Sequence, residues 1–86
     1  MVIKLLASEA ICNSTPSTFG GSRLVRIISK ETTTVALITH KAASGATVGT
    51  ISILPQTELI VEKTASDTIE SNNASNILAV PVAYKN

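Results

Sequence analysis

Aromatic side chains are almost missing: the 86 residues contain one Phe (Phe19), one Tyr (Tyr84) and no Trp. A stacking platform for nucleobases or sugar rings needs several, so none can be built within one chain, and a carbohydrate-binding module is disfavoured. Charge is scarce too, at 15% of residues against an ordinary share of about 25%. Seven Lys and Arg against six Asp and Glu leave a net charge of +1, with Arg23, Arg26 and Lys30 as the nearest thing to a basic cluster. Nucleic-acid binding needs a longer basic stripe. Cys12 is the only cysteine. It excludes an internal disulfide and a cysteine-based zinc site, fits assembly in a reducing cytoplasm, and reads as a buried small hydrophobe. No apolar run approaches the roughly 18 to 20 residues of a membrane span, and Met1 to Ala7 is too short for the apolar region of a signal peptide. The expected product is therefore soluble and unprocessed. With 44% hydrophobic residues and only three prolines, the chain is not of the disordered type. Its length allows one domain, residues 1–86, with a thin core.

What is abundant is branching at Cβ: ten Ile, seven Val and eleven Thr, accompanied by ten Ser. These side chains are stiff at χ1 and suit a pleated surface better than a helix. Gly, Pro, Ser and Asn recur at short intervals between the apolar runs, which marks several short strands. The expected strands are Val2 to Ala7, a short Ala10 to Asn13, Leu24 to Ser29, Thr33 to Thr39, Ala46 to Leu54, Glu58 to Lys63, a short strand at Ile69, and Ile77 to Tyr84. Asn13 to Ser22 is a loop in which Gly20 and Gly21 supply positive φ. Leu24 to Ser29 is apolar on both faces and so reads as central. Leu59 and Val61 point one way while Glu58 and Glu62 face solvent. In the last strand Leu78, Val80, Val82 and Tyr84 share the face whose burial sets the register, and Pro81 argues for a sheet edge or an outer side that meets another chain. The fold expected is all-β: a small antiparallel β-sandwich or barrel of about seven to eight short strands.

No constellation of catalytic residues accompanies this pattern, and no enzyme, cofactor or metal site is expected. A hydrolase would have to bring His40 and Asp67, each the only residue of its type, beside one of the serines, and no Gly-x-Ser-x-Gly elbow exists to expose a nucleophile. His40 reads as a solvated strand-end histidine. Cys12, His40 and Asp67 show no metal-ligand spacing, and Gly20-Gly21-Ser22 reads as a turn because no phosphate-loop pattern surrounds it. A surface rich in Ser and Thr and poor in charge can pack against another copy without burying unpaired ions.

Gly-Ser-Arg-Leu-Val-Arg-Ile-Ile at Gly21 to Ile28, Ile-Leu-Pro-Gln-Thr-Glu-Leu-Ile-Val-Glu-Lys at Ile53 to Lys63, Asp-Thr-Ile-Glu-Ser at Asp67 to Ser71 and Ile-Leu-Ala-Val-Pro-Val-Ala-Tyr at Ile77 to Tyr84 carry a resemblance. The chain from Gly21 to Tyr84 resembles small β-structured virion proteins of tailed bacteriophages of marine and freshwater bacteria. That resemblance implies a capsid decoration (cement) protein or another accessory of the particle, in symmetric and preferably trimeric copies, with no catalytic residues to carry over. It implies a virion location after synthesis in the host cytoplasm, and the major capsid protein or other virion proteins as partners, without nucleic acid or membrane. A charged decoration surface is the point of departure. The rival expectation is a receptor- or glycan-binding module of a phage tail fibre or adhesin, marked by an aromatic-lined groove.

Overall fold

The computed structural model describes residues 2–85, with backbone alone at Val2, Tyr84 and Lys85. Eight strands form: β1 (Val2–Leu5), β2 (Ala10–Ile11), β3 (Leu24–Ser29), β4 (Ala36–Lys41), β5 (Thr47–Ile53), β6 (Glu58–Glu62), β7 (Thr68–Ser71) and β8 (Ile77–Lys85). All pairings are antiparallel. One sheet runs β1-β8-β3-β6, with β2 also paired to β8, and the second runs β5-β4-β7. Among the described residues there is no helix, as the β-branched composition dictates.

Alternation places the core between the sheets. Val25 and Ile27 of β3, Ala36 and Ile38 of β4, Ile53 of β5, Ile69 of β7 and Ile77 and Ala79 of β8 are all buried in one cluster, with Leu59 and Val61 of β6 packed against it. Cys12 and Phe19 join that cluster from the segment between β2 and β3. Phe19, Gly20 and Gly21 have φ values of 50°, 72° and 72°. This run of left-handed residues turns the Phe19 ring inward, and two glycines make it tolerable. Pro55 and Gln56 make the β5–β6 turn, in which Gln56 takes the left-handed position at φ 58° and the Thr57 hydroxyl donates to the Leu54 carbonyl at 2.6 Å.

Two expectations are corrected. β4 begins at Ala36 rather than Thr33, because its partner β5 ends at Ile53, opposite Ala36, and Pro55 follows in a turn that continues no ladder. β8 is not an edge strand: it lies between β3 and the β1/β2 pair. Its core-cluster residues are Ile77 and Ala79, so the face turned to the second sheet is the one opposite Leu78, Val80 and Val82. Val80 and Val82 are nevertheless buried, on the outer side. The side chain of Tyr84 lies outside the described residues. Pro81 fits this central position because the ladder toward β1 and β2 breaks beside it, between the pairs Leu5↔Val82 and Ala10↔Ala79. Its carbonyl accepts the Leu6 N–H at 3.0 Å. The N–H it lacks would point to the same side, into the break, so its pairing with β3 is undisturbed.

Candidate functional site

The two sides of the sandwich are closed differently. On the β7 side, the segment after β2 laces the sheets together: Cys12 N–H donates to Ile77 O at 2.8 Å, Ser71 N–H to Asn13 O at 2.9 Å, and Ser17 and Ile69 exchange two backbone bonds at 3.2 and 2.9 Å. On the other side, β5 is the edge of one sheet and β6 the edge of the other; the Pro55–Gln56 turn joins them at one end, and among the described residues no strand pairing closes the gap along their length. An open cleft results. Its larger lobe, about 640 Å³, is lined by Arg23, Leu24, His40, Val48, Glu62, Lys63, Thr64 and Asp67. A smaller apolar lobe of about 270 Å³ lies among Ile38, Gly49, Thr50, Ile51, Ile60 and Val61, and shares His40 with the first.

His40 is brought here by β4, whose register with β7 sets His40 opposite Ile69, two residues beyond Asp67. The pair that a hydrolase would require therefore does meet: His40 Nε2 and Asp67 Oδ2 are 2.8 Å apart, with side chains only 17% and 13% exposed. This corrects the expectation of a solvated histidine. Among the described residues no serine or cysteine lines the cleft; its hydroxyls belong to Thr64 in the larger lobe and Thr50 in the smaller. Asp67 also accepts the Thr64 N–H at 3.4 Å. The hydrogen bond from His40, followed by those from Thr64, holds its carboxyl below the usual value. The group thus pins the β6–β7 turn to the end of β4, and Lys41 repeats the device one residue later, with its Nζ 2.8 Å from Glu70 Oε1.

Lys63 was not singled out by its sequence position, yet it is only 5% exposed. It continues the inward alternation of Leu59 and Val61, a signal that was legible. Its Nζ donates to Thr64 O at 3.2 Å, and burial pushes its ammonium below the ordinary lysine value, against the opposing pull of Asp67. Cys12 is buried as expected, and desolvation raises its thiol to about 11. Gly20 and Gly21 form the expected turn. Glu58 and Glu62 are exposed as expected, and Glu58 accepts the Arg26 Nε–H at 2.6 Å. Arg23, Arg26 and Lys30 do not act together: Arg23 lines the cleft, Arg26 is paired with Glu58, and Lys30 is exposed. Among the described residues, no three His, Cys, Asp or Glu side chains converge as metal ligands do.

Large apolar side chains are exposed beyond the cleft as well as at its rim. Ile3, Leu5, Leu6, Ile11, Val35, Leu37, Val48, Ile51, Leu54 and Ile60 are all between 37% and 68% exposed. Comparison with known proteins finds no family model, no curated protein and no solved structure that matches this chain.

Proposed function

We propose that this chain is a structural protein of a bacteriophage virion, a capsid decoration (cement) protein that binds the major shell protein and its own copies. The carrying observation is the set of large apolar side chains left in water, ten of them among the described residues. Scattered exposed Leu and Ile are ordinary, but Leu5, Ile11 and Ile60 share one face of the larger sheet, and apolar surface gathered on one side of a small domain marks a contact with another protein. The shortage of charge favours the same reading, since a surface that is to be buried carries few ions that need partners. The virion as the setting rests on the sequence resemblance alone. A glycan-binding role is less well supported: among the described residues the cleft is lined by no Phe or Tyr, and Phe19 is committed to the core.

The test is direct. Particles purified from the source culture by density gradient are analysed by quantitative mass spectrometry. The protein should be present in a fixed whole-number ratio to the shell protein. Its absence from washed particles would overturn the proposal.

A further inference from the structure

An antiparallel sheet in a two-layer sandwich buries one face and wets the other. The larger sheet here breaks that rule. Cross-strand partners share a face, so the register defines the side turned away from the core. Val25 faces the core opposite Pro81 and Val61. The outer face therefore carries Leu24 and Ile28 of β3, Ile60 of β6 and Leu78, Val80 and Val82 of β8, with Glu58 and Glu62 along its β6 rim; Val80 and Val82 are already covered within the chain, and the open apolar side chains are those around them. Leu5 pairs with Val82 and Ile11 with Leu78, which puts the exposed side chains of β1 and β2 on the same face. Leu5 is 68% exposed and Ile11 51%.

Arg26 stands in the middle of this surface, opposite both Ile60 and Val80. It pairs with Glu58 on the β6 flank and reaches to 3.9 Å from Glu9, before β2, on the other. The ion at the centre is thus already neutralised within the chain, and the remaining carboxylate, Glu62, stands at the exposed β6 rim.

We infer that this outer face is the contact between two copies of the chain, packed sheet against sheet about a two-fold axis. The inference rests on the reading of the chain as an assembly component and names the surface it would use. The size of the face supports a second copy as the occupant. Four lateral strand positions at about 4.8 Å and a mean length of about seven residues at about 3.3 Å give a flat area on the order of 440 Å² per copy. With side-chain relief, a pair buries on the order of 1,000 Å², the lower bound for a specific dimer. A two-fold contact sets the same apolar rows of the two copies against each other and leaves Glu58 and Glu62 on the β6 rim in water, so the surface is self-complementary, as an isologous contact requires. Aligned sheets would pack about 10 Å apart, crossing at about 30°. A two-fold pair then replaces the trimer implied by the resemblance.

Sedimentation of the full chain between about 1 and 100 µM tests this. The parent should move from monomer to dimer in that range. Leu5→Glu and Ile11→Glu change exposed residues on separate strands, so each should keep the parent's circular dichroism while weakening dimerisation roughly 30-fold or more. Leu54→Glu, at the β5–β6 turn and 59% exposed, should dimerise like the parent. A parent that stays monomeric at 100 µM, or a dimer that survives both face variants or is lost with Leu54→Glu, would overturn the inference. A monomeric result leaves particle binding to be judged by the composition of the virion.

Discussion

Ile51 and Ile53 lie on β5 two residues apart, with the same side chain and on the same side of the strand. Alternation alone treats them as equals. The structure does not: Ile53 is 1% exposed inside the core, whereas Ile51 is 50% exposed where the cleft opens toward β6. Replacing either by Ala removes about three carbons, worth about 0.8 kcal/mol each when buried. Ile53→Ala therefore loses about 2.4 kcal/mol of transfer energy and leaves a cavity, for a total of about 3 to 4 kcal/mol. Ile51→Ala loses about half the transfer energy and leaves no enclosed void, for about 1 kcal/mol. Both share one strand, so strand propensity cancels between them. The difference of about 2 kcal/mol separates the two melting temperatures by roughly 8 to 16 °C in a domain of this size. Urea unfolding at one protein concentration, with slopes equal to the parent's, gives the same difference in free energy. Equal losses in the two variants would refute the open β5–β6 side and the cleft with it.

Three more outcomes follow from the geometry. Asp67 has its folded pKa held below the ordinary 3.8 by His40 and Thr64, so its contribution to stability is full above that value and is lost as pH falls through the lower folded one; Asp67→Asn should be less stable than the parent at neutral pH and should flatten the acid limb below about pH 4, and an unchanged limb would contradict the pairing. Cys12, raised from 9.0 to about 11, should react with a thiol reagent at pH 8 about 100-fold more slowly in the native protein than in denaturant; native labelling at the denatured rate would contradict its burial. Gly20→Ala meets no neighbouring atom but must hold φ at +72°, so thermal melting should show a loss of about 1 kcal/mol, and an unaltered melting temperature would place the turn wrongly.

The strands were legible because period-two alternation and turn residues are local signals. Leu24–Ser29 matched residue for residue, and the central position of β3 followed from its two apolar faces. β8 was harder for the same reason: apolar on both faces, it offered no way to choose between Leu78, Val80, Val82 and Ile77, Ala79, and Pro81 argued for an edge. Only the break between β1 and β2 explains how a proline is tolerated there. Thr33 to Val35 has strand composition but faces a partner already ended by Pro55, a fact of pairing and not of propensity. The His40–Asp67 contact spans 27 residues and exists only once β4 and β7 are in register. Lys63 is the third member of an inward row, a pattern that the rarity of buried lysine masks in the sequence.

In the proposed pair, the outer face of the β1-β8-β3-β6 sheet is covered by a second copy. Because Cys12 is buried, a Leu5→Cys variant carries a single accessible thiol, and its maleimide reaction can be timed against protein concentration. The thiol should react freely at about 1 µM and become protected, by roughly tenfold or more, at about 100 µM, while a Leu54→Cys control stays equally reactive throughout. A Leu5→Cys thiol that reacts at one rate across the whole range would contradict the claim.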